Sequence, residues 1–397
     1  MSSPADDQAL CLPDDGLVGT LVGRAWVPGH PSGPSVVAIR SDGVFDVSAH
    51  FATMSELLEH DDAAGRVRAL PGRRIGSLDE LLRNTARAER DPGCAHLLAP
   101  CDLQVVKAAG VTFAASLIER VIEEQAGGDK ARADAVRAEV QAVIGSRLAE
   151  LRPGSDAARA LKAVLQARGL WSQYLEVGIG PDAEVFTKAP VLAAVGTGVA
   201  IGVRADSAWN NPEPEVVLAV NSRGTVLGAA LGNDVNLRDI EGRSALLLGK
   251  AKDNNASCAI GPFIRLFDAS FSLADLRRET LQLKVSGPEG YVLNGHSSMD
   301  QISRDPLELV RQTMSAHQYP DGFMLFLGTL FAPVEDRDEP GSGFTHKPGD
   351  IVRISSPHLG VLSNRVVTCD DAPPWEFGLR ALFANLAQRG LLPVEPV

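Results

Sequence analysis

The sequence predicts a mixed α/β protein dominated by β-sheet, and three observations support this fold class. After Tyr174, short segments rich in β-branched residues alternate with Gly and Pro, a pattern that favours strands. From about Ala114 to Tyr174, Ala, Arg, Glu and Leu dominate, with apolar residues three and four positions apart, which favours helices. Strands and helices do not alternate regularly, so a repeating βαβ array is not expected.

The first hundred residues are predicted to form a separate small domain. They combine short apolar runs with segments rich in Pro, Gly and Asp, a composition typical of short strands and loops. We place the boundary near Leu98–Asp102, before an apolar run. The prediction is therefore an N-terminal domain at 1–100 and a catalytic domain at 101–397, with a helical insertion at about 114–174.

The catalytic domain is predicted to contain eight strands and three helices outside the insertion. The strands are Val185–Phe186, Val191–Val203, Glu215–Val220, Thr225–Leu231, Leu281–Val285, Phe323–Leu327, Ile351–Ile354 and Val361–Val366. The helices lie near Ser272–Arg278, Pro306–His317 and Pro374–Gln388. The glycine-rich stretch Gly196–Gly202 has one residue too many for a dinucleotide fingerprint and opens no helix, so we interpret it as strand.

Composition argues against several classes of partner. The 397-residue chain has a formal net charge of −12, which disfavours binding to nucleic acid or to an anionic membrane. Its longest apolar run, Ala189–Val203, is too short for a transmembrane helix. The polar N-terminus lacks the features of a signal peptide. The five cysteines are dispersed, which favours a cytoplasmic protein with reduced thiols and no zinc site.

Three carboxylates are predicted to meet at one end of a β-hairpin. Strand-forming residues on both sides of a turn at Asn221–Gly224 predict the hairpin. Glu213 and Glu215 are two residues apart, so they share one face of their strand. If the hairpin folds about the centre of its turn, Ala230 lies opposite Glu215. Asp234 then comes next to the start of the strand that carries Glu213.

A cluster of this kind predicts a site for a divalent cation. Neighbouring carboxylates repel one another by roughly 1 kcal/mol per pair at ~4 Å in water, and by more when buried. Oxygen ligands without His or Cys favour Mg²⁺, with Mn²⁺ and Ca²⁺ as alternatives. The predicted metal ligands are therefore Glu213, Glu215 and Asp234. Without the return of the chain to Asp234, the two glutamates alone would more simply be the solvated face of a strand.

The same region resembles the fumarylacetoacetate hydrolase superfamily over about residues 105–370. The matching segments are Glu213–Glu215, Gly232–Asp239, Gly249–Pro262, Gly328–Thr329, Gly349–Val352 and Leu359–Asn364. The resemblance implies a catalytic domain built as a mixed β-roll, in which two Glu and one Asp hold a divalent ion. It also implies a lysine that supports the substrate or the chemistry. Lys252 fits this position best, and Lys250 is its near competitor.

Within the superfamily the chain looks most like the 2-keto-3-deoxy-pentonate dehydratases. The supporting segments are Gly110–Arg120, the helical insertion, Ala183–Lys188 and Gly343–His346. This group has a catalytic glutamate before a Phe-x-Lys segment, and Glu184 matches it. The resemblance implies a hydro-lyase that dehydrates 2-keto-3-deoxy-D-xylonate or arabinonate to 2,5-dioxopentanoate (α-ketoglutarate semialdehyde) in non-phosphorylative pentose catabolism.

Glu184 and Lys252 are the expected acid–base pair, with their individual roles left open. Apolar residues that follow Lys252 are predicted to lower its pKa by desolvation. Ser116, Thr329 and Lys252 are candidate substrate contacts. A helix cap or a strand-edge hydroxyl is an equally good interpretation of Ser116 and Thr329.

Two alternative functions are considered. A hydrolase of this superfamily would cleave a C–C bond in an acylpyruvate or 2,4-diketo acid, but that branch uses a histidine base early in the catalytic domain. The sequence has no histidine between His96 and His296, which favours dehydration. A protein that binds a small keto acid without turnover is the other alternative. The resemblance further implies a homodimer or a dimer-based oligomer.

Overall fold

The computed structural model describes residues 11–392 apart from residues 114–116, 119, 123–124, 126–150, 168, 170, 332, 334 and 339–342. Within them the architecture is mixed α/β and dominated by sheet, as the sequence predicts. Ser116 and much of the predicted helical insertion lie outside the described residues. None of the described helices is long and apolar enough to cross a membrane.

The strands are β1 (Thr20–Val27), β2 (Gly33–Arg40), β3 (Gly43–Asp46), β4 (Arg73–Gly76), β5 (His96–Leu98), β6 (Val105–Gly110), β7 (Glu184–Ala189), β8 (Ala200–Val203), β9 (Asn210–Asn211), β10 (Pro214–Val220), β11 (Val226–Asp234), β12 (Asn236–Leu237), β13 (Cys258–Leu266), β14 (Thr280–Ser286), β15 (Val292–Ser298), β16 (Phe323–Phe326), β17 (Ile351–Ser356) and β18 (Gly360–Thr368). The α-helices are α1 (Met54–Leu58), α2 (Ala63–Ala69), α3 (Leu78–Thr85), α4 (Asp156–Ala167), α5 (Gln173–Ile179), α6 (Arg238–Glu241), α7 (Leu248–Lys252), α8 (Leu273–Leu276), α9 (Pro306–Thr313) and α10 (Leu379–Gln388). Short 3₁₀ turns lie at Ala245–Leu247 and Met299–Gln301.

One large sheet carries most of the strands, in the order β4-β3-β2-β1-β13-β11-β10-β16-β6-β7, and β5 also pairs with β1. A second sheet has the order β15-β14-β17-β18-β8, and β9 pairs with β12. Because β1 pairs with β13, the strands before residue 100 continue the large sheet. The division into two domains at that residue stays a prediction.

The two sheets share a hydrophobic core, and β10 is buried on both faces. Val216 and Leu218 pack in the same cluster as Ile354 of the second sheet. Val217, on the opposite face, packs in the same cluster as Leu57 of α1. Side chains alternate along a strand, so Glu215 lies on the same face as Val217. The candidate site is therefore at the end of the face that carries the second cluster.

The β10–β11 hairpin has the predicted turn but a different register. The turn closes with a hydrogen bond from the Asn221 amide to the Thr225 carbonyl, 3.0 Å long. Glu215 pairs with Gly232 rather than with Ala230. The turn is longer than predicted, and the pairing is irregular at Ala219/Val220. Together these two differences shift the register by two residues. A shift of two keeps each side chain on its predicted face.

Two other predictions of local structure are wrong in part. Of the predicted strand Val191–Val203, only β8 is a strand, and Leu192 and Gly198 adopt positive φ angles of 65° and 76° that interrupt an extended chain. The predicted last helix begins at Leu379 rather than at Pro374. Strand β13, which lies between β1 and β11 in the large sheet, was not predicted from the sequence.

Candidate metal centre and active site

Glu213, Glu215 and Asp234 come together where the β10–β11 hairpin ends. Their carboxylate oxygens lie within 4.8 Å of one another, and all three side chains are buried. The register explains the proximity, because Asp234 is the last residue of β11 and its amide donates a 3.0 Å hydrogen bond to the Glu213 carbonyl. The three residues predicted as metal ligands therefore form one cluster.

Two buried lysines balance part of this negative charge. The Lys252 ammonium lies 2.5 Å from Glu213 Oε2 and 3.4 Å from Asp234 Oδ2. Lys188 Nζ lies 2.7 Å from Asp234 Oδ1 and donates to the carbonyl oxygens of Val235 and Lys252. Burial alone would raise the pKa of Asp234, but the two ammonium groups hold it below its ordinary value.

Glu215 is held differently, because its hydrogen-bond donor is a backbone amide. The Gly328 amide donates a 2.7 Å hydrogen bond to Glu215 Oε2. Burial and repulsion from Asp234 and Glu213 raise the pKa of Glu215 well above its ordinary range. A cation placed among the three carboxylates would reverse this effect, since it would favour the ionised form of each.

An arginine and a further glutamate complete the charged cluster. Arg120 lies 2.5 Å from Glu213 Oε1 and 3.0 Å from Glu241 Oε2. Glu241 ends α6 and is buried. Burial alone would raise its pKa, but Arg120 and Lys252 hold it below its ordinary value.

The charges of this cluster fit a divalent cation. The charged side chains that line the cavity are Glu184, Glu213, Glu215, Asp234, Glu241, Arg120 and Lys252. Lys188, which contacts Asp234, brings the cluster to five carboxylates and three cations. With every group ionised, the cluster carries two negative charges in excess. Buried charges are expensive unless compensated, and oxygen donors suit Mg²⁺ or a similar hard ion. The three residues that form the metal-ligand cluster are therefore suited to hold such an ion.

Glu184 faces the same cavity from β7. The cavity has a volume of about 30 Å³, and Phe186, Gly328 and Thr329 also contribute to its lining. Burial and repulsion from Glu241 raise the pKa of Glu184 to about 7. A carboxyl group with this pKa can take up or release a proton near neutral pH.

The prediction for the pKa of Lys252 was wrong. Burial does act to lower it, but Asp234, Glu213 and Glu241 outweigh burial and raise the pKa above its ordinary value. Lys252 is therefore an ammonium group in this cluster. The competing candidate, Lys250, is partly exposed and lies 3.2 Å from Asp206 instead of in the cavity.

The remaining predicted contacts are less well defined. The Thr329 side chain is buried in the cavity wall, and its hydroxyl accepts a 3.1 Å hydrogen bond from the Phe331 amide. Ser116 lies outside the described residues. Among the described residues that line the cavity there is no histidine, in keeping with the gap between His96 and His296.

Three residues of the cluster were given no role from the sequence. Lys188 follows Glu184 by four positions, so a strand predicted over 184–188, longer than Val185–Phe186, would have placed both on one face. Arg120 lies in a segment that supported the family resemblance, yet nothing in its spacing pointed to Glu213. No local sequence pattern identifies Glu241 as a residue of the site, because only the position of α6 in the fold brings it to the cavity.

Comparison with known proteins supports the fold and the family of the domain. Residues 187–367 match the family model described as fumarylacetoacetate (FAA) hydrolase C-terminal. A Saccharolobus solfataricus protein named 2-dehydro-3-deoxy-D-arabinonate dehydratase is 32% identical over 179 residues, which are 45% of this chain and 57% of that protein. A Haloferax volcanii protein named "Probable 2-keto-3-deoxyxylonate dehydratase" is 31% identical over 195 residues, which are 49% of this chain and 64% of that protein. The matches thus span less than two thirds of either relative.

Solved structures extend the likeness over most of the chain. A structure described as 2-keto-3-deoxy-D-arabinonate dehydratase, apo form, superimposes with a TM-score of 0.61 at 22% identity and covers 88% of this chain and 99% of that chain. Another, described as the same enzyme complexed with magnesium and 2,5-dioxopentanoate, has a TM-score of 0.61 at 21% identity with the same coverage. At these identities the likeness shows the fold, and it confirms the predicted fumarylacetoacetate hydrolase-like architecture.

Proposed function

We propose that this protein, whose residues 187–367 match the family model described as fumarylacetoacetate (FAA) hydrolase C-terminal, is a Mg²⁺-dependent hydro-lyase. Its substrate in this proposal is a 2-keto-3-deoxy-pentonate, the D-xylonate or arabinonate derivative, and its product is 2,5-dioxopentanoate. One observation carries the proposal: the three-carboxylate cluster lines the same cavity as a carboxyl group with a pKa of about 7 and an ammonium group. The described residues that line this cavity include no histidine. The names of the two relatives, both dehydratases of such acids, support it.

In this proposal Glu213, Glu215 and Asp234 hold the Mg²⁺ ion. Bound there, the ion would supply Lewis acidity to the keto acid, which makes the C3 protons of the substrate easier to remove. Asp234 is kept ionised by its two lysines, so at least one ligand is ready at neutral pH. With every carboxylate ionised the cluster has an excess of negative charge, which favours the uptake of a divalent cation.

Glu184 is the proposed proton acceptor. Its pKa of about 7 leaves a substantial fraction ionised at neutral pH, in a site where Lys252 cannot act as a base because its pKa is raised. Removal of a C3 proton by Glu184 leaves the electron pair of the C3–H bond to form the C3–C4 double bond. The C4–O bond breaks as that double bond forms.

Lys252 is the proposed donor to the departing hydroxyl. Its ammonium group lies among Glu213 and Asp234 and can donate a hydrogen bond or a proton to the oxygen that leaves C4. The C3 proton and the C4 hydroxyl are thus lost as one molecule of water. Tautomerisation of the unsaturated product to an aldehyde at C5 gives 2,5-dioxopentanoate. Thr329 and Ser116 are proposed as substrate contacts.

The decisive experiment supplies the purified protein with Mg²⁺ and each stereoisomer of 2-keto-3-deoxy-pentonate. We expect 2,5-dioxopentanoate, measured as the semialdehyde by its oxidation with a coupled dehydrogenase and by NMR. Pyruvate with a two-carbon fragment would instead identify C–C cleavage, and binding without turnover would identify a non-catalytic protein. Either result would overturn the proposal.

The setting of the reaction is part of the same proposal. The five cysteines are all free thiols, which supports a cytoplasmic location. A role in non-phosphorylative pentose catabolism follows from the proposed substrate.

A homodimer or a dimer-based oligomer is the proposed assembly, and sedimentation at micromolar concentration would test it.

A further inference from the structure

Gly110 and Glu184 are direct neighbours across two antiparallel strands. Gly110 is the last residue of β6, and it pairs in register with Glu184, the first residue of β7. Both residues line the cavity beside the metal-ligand cluster. Side chains of directly opposed residues in an antiparallel pair project to the same side of the sheet, so a side chain at position 110 would point to where Glu184 points.

The Glu184 carboxyl occupies the space that such a side chain would need. A Cβ atom built on Gly110 would lie 2.0 Å from Glu184 Oε2 and 2.8 Å from its Cδ. Contacts of a Cβ atom below 3.0 Å are essentially never observed, so the carboxyl would have to move by about 1 Å or more.

The backbone itself does not demand glycine at this position. Gly110 is not among the glycines with positive φ, and it lies in a regular strand, where alanine is tolerated. The obstruction is the far end of a flexible side chain and not backbone. Alanine at position 110 is therefore expected to leave the strand intact and to move only the carboxyl group.

We propose that Gly110 is a positioning residue, whose missing side chain sets where the Glu184 carboxyl lies relative to the metal-ligand cluster. The consequence for turnover rests on the proposed function, in which Glu184 accepts the C3 proton. Proton transfer needs the acceptor within hydrogen-bond distance of the reacting atom, and a misplacement of about 1 Å in an active site can lower the rate by as much as ~10²-fold.

The test compares Gly110→Ala with Gly249→Ala. Gly249 lies in α7, the helix that carries Lys252, and a Cβ atom there would meet nothing within 4 Å. We expect Gly110→Ala to lower kcat by roughly 10- to 100-fold, with KM, Mg²⁺ affinity and Tm close to those of the wild type. Gly249→Ala should leave kcat, KM and Mg²⁺ affinity unchanged and should not lower Tm, because alanine favours a helix over glycine. Unchanged kcat in Gly110→Ala would overturn the proposal.

A double variant separates positioning from a general structural effect. If Gly110 acts only through Glu184, Gly110→Ala should add no further loss of kcat in a Glu184→Ala background, where the side chain that would meet the new Cβ atom is gone. An additive loss would overturn the proposal, because it would require a second route from position 110 to the reaction.

A crystal structure of Gly110→Ala makes the result independent of the reaction assigned to the protein. We expect the Glu184 carboxyl to have moved by about 1 Å or more, with the ligands Glu213, Glu215 and Asp234 in place. A displaced carboxyl in a protein without dehydratase activity would uphold the positioning role and reject the proposed function. A carboxyl that has not moved would reject the positioning role whatever the protein catalyses.

Discussion

Replacing Glu184 by glutamine should change the stability of the protein in a pH-dependent way. Burial and the nearby Glu241 raise the pKa of Glu184 from an ordinary value of 4.5 to about 7. One pKa unit corresponds to about 1.36 kcal/mol, so ionising Glu184 in the folded protein costs about 3 kcal/mol more than ionising it in the unfolded chain. Glutamine has a similar shape and never ionises, so it escapes this cost.

The sign follows from the protons that each state binds. Between pH 4.5 and about 7 the folded protein retains a proton on Glu184 that the unfolded chain has lost. The contribution of this group to the free energy of unfolding therefore falls as pH rises through that window, and it is lowest above it. Relative to the wild type, Glu184→Gln should gain about 3 kcal/mol between pH 4 and pH 8.

Urea denaturation of both proteins in the presence of EDTA, at several pH values, measures this difference. EDTA is needed because a bound cation would favour the ionised carboxyl and hide the effect. The exposed Glu376 provides the control, since Glu376→Gln should follow the wild type at every pH. A Glu184→Gln curve that runs parallel to the wild-type curve would refute the assigned pKa and, with it, the reason for choosing Glu184 as proton acceptor.

Three further substitutions test the metal-ligand cluster. Asp234→Ala should abolish Mg²⁺ binding and turnover together, measured by calorimetry and by the semialdehyde assay; normal turnover after chelation would contradict the metal site. Lys252→Met should lose most turnover but bind Mg²⁺ at least as tightly, because the ammonium group no longer repels the cation; weaker binding would contradict this. Gly328→Ala should weaken Mg²⁺ binding and lower stability by about 1–3 kcal/mol, because φ is +89° at the residue whose amide holds Glu215; unchanged affinity would count against it.

The β10–β11 hairpin shows how much of the candidate site could be predicted from the sequence. The period of two placed Glu213 and Glu215 on one face, and the turn residues located the reversal of the chain, so the meeting with Asp234 was predictable. The register was not, because the irregularity at Ala219/Val220 leaves no mark in the pattern of apolar residues. The error had no effect on the predicted cluster, since a shift of two residues preserves the face on which each side chain lies.

Long-range packing sets the limit for the other elements. The strand predicted at Val191–Val203 has suitable composition, but residues 191–199 cross from β7 to β8 as irregular chain, held by hydrogen bonds such as that from the Val195 amide to the Cys258 carbonyl. Glu241 reaches the cavity only because α6 folds back beside Arg120. Both features depend on which elements become neighbours, and a single sequence carries no direct record of that.

Lys252 shows why apolar neighbours in sequence are a poor guide to the charge state of a buried group. Desolvation alone would favour the neutral amine, as the sequence suggested, but the dielectric environment that penalises a charge also strengthens its attraction to opposite charges. Glu213 and Asp234 lie within 2.5 Å and 3.4 Å of the ammonium nitrogen, and attraction prevails. Of the two groups whose roles the sequence left open, only Glu184 then has a pKa suited to accepting a proton at neutral pH. In the proposed function, the carboxylates that would hold the metal ion thus also determine which residue can serve as the base.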